Sequence, residues 1–236
     1  MDWKTLAAGI VLIIVLGVGG LVYRNAVEQA NRQIACPVDA KVCPDGTAVA
    51  RQGLACLFPA CPPPNVALDA VNLAYAVPPG FAPAAPASVP DDGTGGKGAV
   101  LAAYAALPSA SSTSADASTT PQGVGSALIV VRSYPIAASS TPLATIEATA
   151  ISATSGAPVP ATGYTSENIG GQRFTIVTIE RFEGVVDTAF YLAHGADVIR
   201  FDAIDRGADW TNPSLDTSAL PAEAALRGLL ATLEGA

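Results

Sequence analysis

The longest apolar run of the chain comes first. Thr5 to Tyr23, TLAAGIVLIIVLGVGGLVY, holds nineteen residues without a charge and is apolar on every side of a helix. At about 1.5 Å per residue that helix is roughly 28 Å long, close to a hydrocarbon core of about 30 Å. Trp3 and Tyr23 stand at its ends, where aromatic rings favour the headgroup region, with Lys4 and Arg24 just outside. The pattern predicts a transmembrane anchor over residues 1–24 and a stalk over 25–35. A cleaved signal peptide has a shorter apolar region of about 7–15 residues, and Arg24 to Gln29 offers no small-x-small cleavage site.

From Val66 onward the pattern shortens to strands. Val66–Tyr75 predicts one or two strands, ended by Pro78-Pro79-Gly80, and Ala99–Leu107 another. Ala127–Tyr134 is the densest in β-branched residues and stops at Pro135. Pro142 opens a helix with Leu143, Ile146, Ala150 and Ile151 on one face. Three strands follow over 174–180, 187–193 and 197–203. The short link His194-Gly195-Ala196 makes the last two a hairpin of antiparallel neighbours. A closing helix starts at Pro221 with Glu223 in its first turn, and Leu226, Leu229, Leu230 and Leu233 form its apolar stripe. The expected fold class is α+β, an antiparallel sheet with packed helices. Pro108 to Pro121 is low-complexity Ser/Thr/Ala sequence, which predicts a disordered surface loop near 108–122.

Between anchor and strands, Cys36, Cys43, Cys56 and Cys61 fall within 26 residues. A segment this short cannot bury enough apolar area alone, so an even cysteine count predicts two disulfides, with three connectivities open. Each bridge contributes on the order of 3 kcal/mol. Zinc fits the spacing poorly, because six residues separate Cys36 from Cys43 where structural sites pair ligands about two to four apart. Disulfides require an oxidising compartment and orient the anchor with its N-terminus in the cytoplasm and the rest outside. The domain plan is therefore anchor, stalk, a four-cysteine module over 36–61, a proline linker over 62–65 and an α+β domain over 66–236.

The net charge of −8, from 12 Lys+Arg against 20 Asp+Glu, removes the electrostatic basis for nucleic-acid binding. The candidate chemistry is sparse. Gly93-Thr94-Gly95-Gly96-Lys97-Gly98 fails as a phosphate loop: Asp91 stands where its first Gly belongs, and Gly98 replaces the Ser/Thr. Asp91-Asp92 lacks the alternating carboxylates of a calcium loop and predicts a solvated turn. His194 is the only histidine, so no multi-histidine metal site exists and a Ser-His-Asp set has one candidate, at a hairpin tip. Asp197, Asp202, Asp205 and Asp209 alternate with Arg200 and Arg206 and predict surface ion pairs rather than a glycosidase pair. Trp210 suits packing under a loop or anchoring a partner. With Arg51 it makes the pair of candidate binding residues. No catalytic residue, metal or cofactor is expected.

Two resemblances add to this. Val42-Cys43-Pro44-Asp45-Gly46-Thr47 resembles the Cys-x-x-Asp-Gly turn of Kazal-type inhibitors, although those carry six cysteines and this segment four. Cys-Pro-Asp-Gly-Thr followed by Arg51, Cys56-Leu57-Phe58 and Cys61-Pro62 resembles a short element of uncharacterised membrane-anchored bacterial envelope proteins. From Leu73 onward the order of elements resembles the PsbP/Mog1-like α/β sandwich. It runs through Pro79-Gly80-Phe81, Leu128–Pro135, the Ile169-Gly170-Gly171-Gln172 turn, Phe190-Tyr191, Ile199–Phe201 and the closing helix. That resemblance implies a non-catalytic module used in binding, assembly or accessory roles. The expected function is thus a single-pass, envelope-anchored binding or assembly module facing an unknown envelope protein or ligand. A Kazal-like inhibitor acting through the Cys43–Cys56 loop and an extracytoplasmic hydrolase are the alternatives.

Overall fold

The computed structural model describes residues 3–30, 36–43, 47–53, 55–108 and 127–235. The Pro44-Asp45-Gly46 turn, and the Ser/Thr loop beyond Pro108, lie outside the described residues. The chain forms two compact units, Met1–Lys41 with Val49–Pro59, and Val42–Ala48 with Ala60–Ala236.

In the first unit α1 (Trp3–Ala30) is one helix of 28 residues. It runs past the expected anchor into the stalk, because Asn25 to Ala30 contains neither proline nor glycine to stop it. Described side chains from Ile13 to Tyr23 are exposed, among them Ile13 at 70%, Leu16 at 67% and Tyr23 at 73%. Among the described residues no helix is long and apolar enough to cross a membrane. The described side chains of α1 cover only part of the predicted span. Cys36 is bonded to Cys56 within this unit; the short strands β1 (Ala40–Val42) and β2 (Ala48–Ala50), which make a two-stranded sheet, each run over the division between the units.

The second unit carries the other bridge, Cys43 to Cys61. The two pairings choose one of the three connectivities. Strands β3 (Val66–Leu68) and β4 (Leu73–Tyr75) form a separate hairpin. Around them stand β5 (Phe81–Pro83), β6 (Ala99–Ala106), β7 (Ala127–Pro135), β8 (Tyr164–Ile169), β9 (Gln172–Phe182), β10 (Val185–His194) and β11 (Asp197–Arg206). These seven make an antiparallel sheet in the order β5-β6-β7-β11-β10-β9-β8.

Both faces of the central strands are covered. β7 and β11 are buried along almost their whole length; β7 reads as a near-continuous apolar run interrupted at Arg132, whereas β11 buries Arg200, Asp202 and Asp205 among its apolar residues. On one face α3 (Pro221–Ala231) sets Leu226, Leu229 and Leu230 against Phe174, Phe190, Ile199 and Phe201. Leu73 and Tyr75 of the hairpin join this core, where Tyr75 and Tyr104 hydroxyls hydrogen-bond at 2.8 Å. On the other face α2 (Pro142–Thr149) brings Ile146, and just beyond it Ala150, against Val177, Ile179, Ala189, Tyr191 and Val198. Beside them Leu128, Val130 and Ile204 lie under Ala84 and Val89.

The buried face of α2 differs from the sequence reading. Leu143 is 54% exposed, and Thr145 and Thr149 take the buried face of α2 with Ile146. Their hydroxyls donate to the carbonyls of Thr141 and Thr145, which lets two polar residues face inward at little cost. Glu223 stands in the first turn of α3 as expected, and it is buried there; one oxygen accepts from Arg227 and the other has no partner among the described residues. The N-terminus of α3 is capped from a strand: Asp205 Oδ1 accepts from Ala222 N–H at 2.8 Å, while Leu220 at the cap position supplies no side-chain bond.

Candidate functional site

Strand pairing assembles a charged cluster inside the α2 face of the sheet. Directly paired residues share a face, so the registers Arg200↔Arg132, Tyr191↔Arg200, Asp202↔Val130 and Asp187↔Ile204 place Arg132, Arg200, Asp202 and Asp187 together. Arg200, Asp202 and Arg132 are 1%, 0% and 3% exposed. Asp202 bridges the two guanidiniums, accepting from Arg200 Nε at 2.5 Å and from Arg132 Nη1. Arg200 also donates to Thr149 O (2.9 Å) and Arg132 to Pro90 O (2.8 Å), so the cluster ties α2 and the segment before Asp91 onto the sheet. The surface ion pairing expected of Arg200 and Asp202 is corrected here: both are interior, because the neighbouring strands and α2 close over them.

Asp92 is corrected likewise. It is 8% exposed rather than solvated. Its Oδ1 accepts from the N–H and hydroxyl of Thr94, its Oδ2 accepts from Tyr134 Oη at 2.5 Å, and Arg132 Nε lies 3.8 Å away. Burial pushes its carboxyl up, but the bonds from Tyr134 and Thr94 outweigh that and hold it below the ordinary carboxylate range.

Asp187 is the odd member. Arg200 Nη2 is 3.7 Å from its Oδ2, beyond a hydrogen bond, and its Oδ1 has no partner among the described residues. It also lies opposite Glu180 in the β9–β10 ladder. Burial, then the charge of Asp202, push its carboxyl up to about 8 against the pull of Arg200 and Arg132. The contact with Arg200 does not reverse this, since that guanidinium is already committed to Asp202 at the shorter distance. Two guanidiniums face two paired carboxylates, Asp202 and Asp92; a third charge would be uncompensated. Burial also opposes the charge of Arg200, but Asp202 and its neighbours hold its pKa well above the ordinary value. Such a cluster fixes the geometry of α2 and of the segment around Asp92 on the sheet.

The remaining sequence candidates are dispersed. His194 is half-buried and pairs across the hairpin with Asp197, whose Oδ1 accepts from Ser133 Oγ at 3.0 Å. His194 bonds to neither, so no Ser-His-Asp arrangement is assembled among the described residues. Asp209 accepts from Thr211 and caps its own loop. Trp210 packs on Phe182 with ring centroids 5.3 Å apart, and Arg181 donates to the carbonyls of Trp210 (3.0 Å) and Asn212, which fits the loop-packing reading. Arg51 is engaged within the first unit: Nε reaches both Asp39 oxygens (2.7 and 2.9 Å), Nη1 donates to Cys56 O (3.1 Å), and the guanidinium sits 4.3 Å from the Phe58 centroid. It organises the cysteine segment. Among the described residues no His/Cys/Asp/Glu group could hold a metal ion.

One cavity of about 380 Å³ opens beside α2 and β7, with Tyr134 in its lining. No protein-family model and no curated protein matches the chain.

Proposed function

We propose that the chain is a single-pass, envelope-anchored protein that displays a non-catalytic α+β binding or assembly module outside the cytoplasm. The observation that carries this is the pair of disulfides that follows the charge-free stretch Thr5 to Tyr23 in the sequence. Disulfides persist in oxidising compartments, and an apolar surface such as that of the described, exposed side chains from Ile13 to Tyr23 favours a non-aqueous surrounding. The sequence of α1 provides the length: its charge-free stretch from Thr5 to Tyr23 matches a hydrocarbon core. The seven-stranded antiparallel sheet with a helix on each face supports the PsbP/Mog1-like reading and its accessory roles. The buried charges point the same way, since they are spent on holding α2 and the Asp92 loop rather than on an open site.

The test uses cells expressing the full chain. Alkaline extraction leaves the protein in the membrane pellet, and protease added outside removes epitopes of the second unit while an N-terminal tag survives. Release into the alkaline supernatant would refute the anchor. Protection of the second unit from external protease would refute the orientation.

A further inference from the structure

The cavity beside α2 has a volume within the range of small-molecule sites, about 300–1,000 Å³. Its buried residues are Tyr134, Thr145 and Thr149, and the small side chains of Ala144 and Ala148 line it from the exposed side of α2. The buried hydroxyls are already engaged. Tyr134 donates to Asp92, Thr145 to Thr141 O at 3.1 Å and Thr149 to Thr145 O at 2.8 Å. They offer a ligand ring and methyl surface more than hydrogen bonds.

Two polar groups of the lining have capacity to spare. Ser140 makes one long bond of 3.4 Å to Thr141 O. Lys97 is exposed and has no ion-pair partner among the described residues. It is the only lysine after Lys41, in a chain of net charge −8. Its loop is held against the sheet through Asp92, and Gly98 lies so close to Tyr134 that an added Cβ would come within 2.4 Å of the ring. The lysine is therefore tethered next to the cavity.

We propose that this cavity binds a small amphipathic carboxylate, its apolar body against Ala144, Ala148 and Tyr134 and its carboxylate on Lys97 and Ser140. A cation is disfavoured by Lys97, and a multiply charged anion would need more donors than one ammonium and one hydroxyl. The inference rests on the binding-module reading and names a ligand class for it.

The test follows acetylation of Lys97 in the full chain, reconstituted in lipid nanodiscs, by peptide mass. The probe is 3-phenylpropanoate; 3-phenylpropanol and the non-nucleophilic 3-phenylpropyltrimethylammonium ion are the charge controls and exposed Lys41 is the internal one. The carboxylate at millimolar concentration is expected to slow acetylation of Lys97 about fivefold and leave Lys41 unchanged, a difference of the size a weak site gives. The alcohol and the quaternary ammonium are expected to protect little. Ala144→Phe, a substitution at an exposed helix position, fills the cavity and removes the protection, and Lys97→Met removes ligand-detected NMR binding of the probe. No protection, equal protection by the alcohol, or protection that survives Ala144→Phe would overturn the proposal. Absent protection in a chain that passes the membrane tests sinks the ligand class alone. Protection in a chain released by alkali sinks the anchor alone.

Discussion

Asp187 and Asp202 belong to one buried cluster, and the same change of carboxylate to amide has opposite effects at the two. Asp187 has an ordinary pKa of 3.8 that the fold raises to about 8. Below about pH 4 the folded and unfolded chains both carry its proton and it contributes nothing. Between about 4 and 8 the unfolded chain releases the proton and the folded chain keeps it, so stability falls as pH rises. Above about 8 both are ionised and the penalty is constant. Four pKa units correspond to a ceiling on the order of 5 kcal/mol. Relaxation of the 14% exposed side chain reduces this to about 1–3 kcal/mol. Asp187→Asn removes the titrating group and preserves its shape. It is expected to stabilise the chain by that amount at pH 8.5, with the gain disappearing near pH 4.5. Asp202→Asn strips a 0% exposed carboxylate from two buried guanidiniums and is expected to cost about 3–5 kcal/mol at either pH. Denaturant titration of the wild type and both variants at several pH values between those limits measures this. A destabilised Asp187→Asn at pH 8.5, or a gain equal at both pH values, would refute the charge balance argued for the cluster.

Other substitutions probe single supports. Asp205→Ala removes the cap supplied to α3 by β11 and is expected to cost about 1–2 kcal/mol, most of it recovered by Asp205→Asn, in the same titration. Gly98→Ala forces a Cβ into the Tyr134 ring; a loss of about 1–3 kcal/mol and increased proteolysis of the Asp91–Gly98 loop are expected. Replacing Cys36 and Cys56 together by serine is expected to loosen the first unit by about 3 kcal/mol, seen as faster hydrogen exchange at Gln52 and Leu57, with exchange in β7 and β11 unchanged.

Much of the sheet was legible because its strands carry the ordinary signals. The β10–β11 hairpin follows from the short link at His194-Gly195-Ala196 between apolar runs, and the stripe of α3 from its i, i+3, i+4 leucines. β8 was missed as an element: Tyr164–Ile169 is an edge strand with exposed Thr165, Ser166, Glu167 and Asn168, so no apolar alternation marks it. The buried face of α2 was misread because two threonines take it by back-bonding to the helix.

The charged cluster was misread as surface ion pairs, although two signals of it stand in the sequence. Arg200 and Asp202 stand two apart on a strand and so share a face, a signal within β11 itself. Arg132 within the apolar run of β7 was a second. Their union with Asp187 and Asp92 depends on strand order and register, set by contacts up to 70 residues apart in sequence, which no local pattern encodes. The cysteine count predicted the number of bridges, but the pairing of Cys36 with Cys56 and Cys43 with Cys61 depends on which backbone segments meet.

The most direct test of the account is the thiol state of the full chain trapped in living cells by alkylation, followed by intact and peptide mass. The account predicts no alkylated cysteine before reduction, four after it, and cross-linked peptides joining Cys36 to Cys56 and Cys43 to Cys61. Four thiols alkylated without reduction would contradict it and place the second unit in a reducing compartment.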